Sequence, residues 1–108
     1  MKVLLVEDST YRIDDFKILA KARKWDLCIA KTYQKAILFL ILFKFETIYL
    51  DHDLASDKTG YDVAKFIKKH NIKSSIYIHS QNVVGAENIN RILPYAERVP
   101  FHLIRERI

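Results

Sequence analysis

The sequence is poor in the residues that bend or loosen a chain: two glycines and two prolines among 108 residues, which excludes collagen-like and low-complexity classes. Half of its residues are apolar, which excludes an intrinsically disordered chain. A single cysteine, Cys28, cannot close an internal disulfide. Inside the apolar stretch WDLCIA it reads as a small buried hydrophobe, so a reducing, cytoplasmic setting is expected. The opening MKVLLVEDST carries only about five apolar residues before two acids, too few for a signal-peptide core or a membrane span, so no membrane partner is expected. A basic stripe interleaved with aromatics is also lacking, which gives little support to duplex nucleic-acid binding. The net charge of +5 comes from 18 basic against 13 acidic residues, with Lys17, Lys21, Arg23 and Lys24 along one helical pattern and Lys65, Lys68 and Lys69 along another. These are solvated faces or attractors of phosphate-bearing ligands.

What is there is a regular alternation of apolar runs and helical patterns. The length predicts one domain, residues 1–108. KVLLV (2–6), DLCIA (26–30), TIYL (47–50), SIYIH (75–79) and ERVPF (97–101) read as strands. Helices are expected from a Ser9 or Thr10 cap to about Lys24, after Thr32, from Thr59 or Gly60 to about Lys69, and over roughly 86–93. Such alternation implies right-handed crossovers and an α/β fold: a doubly wound parallel five-stranded sheet with helices on both faces. The order 2-1-3-4-5 suits five strands best and puts a switch point between the first and third. Ligands of open parallel sheets sit beyond the carboxyl ends of the strands. Glu7 and Asp8, then Asp51, His52 and Asp53, then His79 and Ser80 follow three of those ends.

With LLVEDS, LDHDL, TGYDVAKFI, IHSQN and RVPF in this order, the chain resembles the response-regulator receiver fold over nearly its whole length. The resemblance implies that Glu7 and Asp8 are the metal-binding pair, Asp51 the phosphoacceptor, Ser80 the switch hydroxyl and Pro100-Phe101 the terminal loop. It also suggests a cis Val99–Pro100 bond. More specifically, LDHDLASDKTGYDVA, IHSQNVVGAENI and RVPF are similar to the divergent cyclic-phosphate-processing receiver-like family, which implies activity on cyclic phosphates of nucleotides or RNA ends. The pattern departs from an ordinary receiver in two places. Val99 replaces the expected lysine, with Arg98 one place earlier. Seven residues follow Phe101, against about eleven for a three-turn helix, so the final helix is expected to be missing.

The chemistry of these residues is consistent with that reading. Clustered carboxylates stay ionised together only when cations offset them. Glu7, Asp8 and Asp51 are hard oxygen donors suited to Mg²⁺, and a histidine among them would suit Mn²⁺. The competing reading is that the acids cap the following helices. His52 and His79 are candidate acid and base for phosphodiester hydrolysis, with Asp53 to orient an imidazole or complete a metal shell; each is also a plausible hydrogen-bonded structural histidine. In an extended backbone Asp51 and Asp53 would share a side, with His52 turned away. Ser80, Asn82, Gly85 and Arg98 are candidate phosphate contacts, Gly85 by close backbone approach before a helix, with plain turn chemistry as the alternative for Asn82 and Gly85. Lys58 is a candidate mobile contact.

Three functions are therefore in view. The first is a metal-dependent phosphodiesterase, partnered by a phosphate-bearing small molecule or RNA end. The second is a phosphoaccepting receiver signalling through Asp51. The third is a non-catalytic cyclic-nucleotide binder in host-defence conflict. AILFLILF, residues 36–43, is apolar all round where one helix stripe would suffice, and this predicts a homodimer through that helix.

Overall fold

The computed structural model describes residues 1–106. Five strands form one parallel sheet in the order β2-β1-β3-β4-β5: β1 Lys2–Val6, β2 Asp26–Ala30, β3 Thr47–Leu50, β4 Ser75–Ile78 and β5 Glu97–Arg98. Between and after them run α1 Thr10–Arg23, α2 Tyr33–Leu42, α3 Gly60–Lys69, α4 Val83–Ile92 and α5 Phe101–Glu106. The doubly wound topology and the 2-1-3-4-5 order are as the alternation implied.

The central strands are buried on both faces, and their alternate residues feed two cores. Leu4, Val6, Ile48, Leu50, Ile76 and Ile78 pack with residues of α2, α3 and α4, among them Ala36, Val63, Ile67 and Ile89. Leu5 points the other way, into a cluster with Ile13, Phe16 and Leu19 of α1, Val99, and Ile104 of α5. Trp25, Tyr49 and Tyr77 pack against that second cluster, their rings stacked in series at 5.8 and 5.3 Å.

Helix starts follow the capping residues. Ser9 accepts from the Arg12 N–H and Thr32 from the Lys35 N–H. Thr59 and Asp62 form a reciprocal capping box at α3. The α4 helix begins three residues earlier than its apolar spacing suggested, because Asn82 caps it by accepting from the Gly85 N–H.

Three expectations need correction. The final helix is not missing: α5 is short, and two turns are enough to seat Ile104 beside Leu5 and Phe16, with the Leu103 and Ile104 N–H groups donating to the Pro100 carbonyl. The residues from Phe101 on are too few for a three-turn helix but enough for this shorter one. The fifth strand ends at Arg98 rather than at Phe101, since Pro100 has no N–H for a ladder. The Val99–Pro100 bond is trans, as is every peptide bond described. Val99, in the lysine's place, is buried in the second core.

Candidate functional site

β1, β3 and β4 end side by side, as the register pairs of Val6 with Leu50 and of Leu50 with Ile78 require. The next residue on each strand is polar, and all three are buried: Glu7 fully, Asp51 and His79 to within 2 % of fully. One ligand atom from each lies within 4.8 Å of the others, so these three could hold a metal ion. Asp8, expected to share that role, lies outside the group and is only half-buried.

Glu7 has a full set of donors. Its Oε2 accepts from the backbone N–H groups of Asp8 and Ser9, both at 3.0 Å. Its Oε1 accepts from Arg12 Nε at 2.7 Å and faces His79 Nε2 at 3.0 Å. A second Arg12 nitrogen reaches Glu7 Oε2 at 3.3 Å and lies 3.5 Å from Asp51 Oδ2. Burial alone would push the Glu7 carboxyl up, but hydrogen bonds from His79 and Arg12 outweigh it and hold Glu7 at about 2. Asp51 goes the other way, raised to about 6 by burial and then by the neighbouring Glu7 charge, against opposing pulls from His79 and the Ser80 hydroxyl. Its Oδ1 accepts from the His52 N–H at 2.8 Å.

Arg12 is the residue that the motifs did not disclose. It sits in the first turn of α1, where the Ser9 cap turns the chain back over the strand ends, so the guanidinium falls on Glu7 and Asp51. A basic residue in the first turn after a capped pair of acids is the signal that could have revealed it.

The two histidines part company. His79 is enclosed: its ring packs 5.5 Å from Phe16, its Nε2 is on Glu7, and its Nδ1 meets no hydrogen-bond partner among the described residues. His52 lies nearer the surface, with Nδ1 2.8 Å from Asp53 Oδ1. A carboxylate only accepts, so Nδ1 is the ring nitrogen that donates there, which leaves Nε2 free of any hydrogen bond among the described residues. Asp53 is held below its ordinary range, first by His52. Asn82 completes the arrangement: its Nδ2 donates to the same Asp53 oxygen at 3.2 Å while its Oδ1 caps α4. The chain is not extended beyond Leu50, so Asp53 faces His52 and Asn82 rather than sharing a side with Asp51.

Both glycines serve these groups. A Cβ on Gly85 would lie 2.4 Å from His52 Cγ, so the close approach foreseen for a phosphate is made by the imidazole. A Cβ on Gly60 would lie 1.9 Å from the Asp51 carbonyl oxygen, where the start of α3 presses on the strand end. Ser80 accepts from the Asn82 N–H at 3.0 Å beside Asp51. Arg98 is exposed on β5 with no hydrogen bond to this group, and the Lys58 ammonium rests on the Tyr33 ring, 4.8 Å from its centre.

Solved structures share the fold. The response regulator TrrA of Thermotoga maritima, solved with Mg²⁺ and BeF, has a TM-score of 0.79 at 17 % identity, covering 98 % of this chain and 94 % of that one. The receiver domain of HemR from Leptospira biflexa, in its non-phosphorylated form, has a TM-score of 0.75 at 26 % identity, covering 98 % and 90 %. No curated protein sequence matches the chain. The family model described as the cyclic-phosphate processing receiver domain matches residues 4–94, which carry every group that meets at the strand ends, and the chain belongs to that family.

Proposed function

We propose that the chain binds a phosphate-bearing ligand at the carboxyl rim of its sheet and hydrolyses a cyclic phosphate, in a nucleotide or at an RNA end, with His52 as the acid–base group. The observation that carries this is the His52–Asp53–Asn82 arrangement seated on Gly85, which a phosphoaccepting aspartate does not require. In the reaction, His52 Nε2 takes a proton from water as the water oxygen bonds to phosphorus. One ring P–O bond then breaks, and its oxygen leaves with the proton returned by the imidazolium. Asp53 orients the ring through Nδ1 and favours the imidazolium. His79 acts from beneath by holding Glu7. Glu7 and Asp51, with Asp8 half-buried beside them, are suitable holders of Mg²⁺ or Mn²⁺, which would offset charge developing on the phosphoryl oxygens. Ser80 supplies a hydroxyl beside Asp51, and Arg98 is the exposed basic group available to a longer substrate. One half-buried cysteine, Cys28, fits a reducing, cytoplasmic setting, and among the described residues no helix is long and apolar enough to cross a membrane.

Cyclic mononucleotides, cyclic oligonucleotides and RNA ending in a cyclic phosphate are the test panel, with Mg²⁺ or Mn²⁺ present. Turnover that disappears in His52→Ala, with the circular dichroism unchanged, supports the reading. No turnover of any substrate refutes it, and tight binding without turnover would identify a non-catalytic binder.

Asp51, buried at the switch point beside the Ser80 hydroxyl, favours a second reading as a phosphoaccepting receiver. Mass spectrometry after incubation with a small phosphodonor and Mg²⁺ decides it, since the label must vanish in Asp51→Asn. Against this reading, the lysine position holds buried Val99. Leu38, Ile41, Leu42 and Phe43 are exposed at the end of α2, which supports a homodimer through that helix.

A further inference from the structure

We propose that Arg12 and a divalent cation are mutually exclusive occupants of the Glu7–Asp51 carboxylate pair, so that a cation enters only as the guanidinium leaves. This rests on the cation-assisted reading above, and deepens it by assigning the residue that controls the cation. A small divalent ion draws carboxylate oxygens to one point at about 2.0–2.6 Å. The point where Glu7 and Asp51 converge is taken: Arg12 Nε is 2.7 Å from Glu7 Oε1, and another Arg12 nitrogen is 3.3 Å from Glu7 Oε2 and 3.5 Å from Asp51 Oδ2.

The count of donors on Glu7 says which group must yield. A carboxylate has about four lone-pair sites, and those of Glu7 are met by the N–H groups of Asp8 and Ser9, by His79 and by Arg12. The two backbone donors are fixed by the turn into α1. His79 is enclosed between Glu7 and Phe16. Of the two side-chain donors, His79 has a fully buried side chain and Arg12 alone reaches solvent, with 20 % of its side chain exposed on a flexible stem. It is therefore the donor that can be exchanged for an ion.

The released guanidinium has somewhere to go. Its charge is already felt by both Asp8 and Asp53 at the rim. Asp53 holds His52, so an Arg12 swung outward stands beside the imidazole, where its planar fork suits a phosphate. Cation entry and phosphate binding are thereby linked through one side chain, each favouring the outward position.

The test reads occupancy rather than turnover, so a protein without hydrolase activity can still pass it, and an active hydrolase can still fail it. Mn²⁺ is titrated into the wild-type protein and Arg12→Ala, following the free-ion signal by electron paramagnetic resonance. Arg12→Ala is expected to bind Mn²⁺ at least about tenfold more tightly, as expected when a competing charge-assisted pair is removed. Equal or weaker binding in the variant, or binding in neither protein, overturns the proposal. Loss of the fold in Arg12→Ala would not leave the question open, because the Arg12 Nε–H resonance of the wild type is followed while Mg²⁺ is added. A shift to a solvent-like position as the site fills supports the exchange, and an unmoved resonance in the Mg²⁺-filled protein overturns it.

Discussion

Replacing Asp51 by asparagine should stabilise the protein at neutral pH, although it removes a charged residue from the centre of the site. Asp51 is 98 % buried and is raised from 3.8 to about 6, so the folded state prefers it protonated. The sign follows from linkage: between about pH 4 and 6 the native protein binds more protons than the unfolded chain, and its stability falls as pH rises through that window. A displacement of that size corresponds to at most about 3 kcal/mol. Glu7, held low by His79 and Arg12, works oppositely, adding stability above its unfolded value that is lost only as pH falls towards about 2. Asparagine keeps an oxygen for the His52 N–H and presents an amide N–H towards Glu7, as protonated Asp51 does. Because the two acids share one environment, about 1–3 kcal/mol is expected at pH 8, or roughly 4–12 °C in Tm. Thermal or urea unfolding of both proteins at pH 8 and pH 4 measures it. A variant no more stable than wild type at pH 8, or one with the same gain at pH 4, refutes the reasoning.

Other perturbations separate packing from chemistry. Gly85→Ala should cost about 1–3 kcal/mol, since alanine's better helix propensity only partly offsets a Cβ that overlaps the His52 ring, and it displaces that ring. Turnover should therefore fall with that of His52→Ala under conditions where urea unfolding shows the variant still folded. Thr59→Ala breaks the capping box with Asp62 and should cost about 1 kcal/mol without affecting ligand binding. Light scattering at tens of micromolar should give a dimer that Ile41→Glu converts to monomer; a wild-type monomer counts against the α2 interface.

The fold was legible because its signals are local and repeated. Each apolar run of four or five residues stops at a polar residue, and Ser9, Thr32 and Thr59 stand where helices must begin. The errors came where a tertiary contact overrode the local pattern. Asn82 starts α4 early by capping it, an effect that apolar spacing does not register. α5 persists with two turns because Ile104 finds Phe16 and Leu5, a contact that a residue count cannot foresee.

The site was legible as a set of residues but not as an arrangement. Strand ends in a parallel sheet share a rim, so Glu7, Asp51 and His79 were bound to meet once the order was known. Which way each side chain turns depends on partners far along the chain. His52 finds Asp53 beside it but Gly85 and Asn82 thirty or so residues on. His79 finds Glu7 across 72 residues and is thereby drawn inward, leaving His52 with the surface. Arg12 escaped notice because motifs built around acids are read for the ions they attract. Here the protein supplies a cation of its own, the Arg12 guanidinium paired with Glu7 and Asp51.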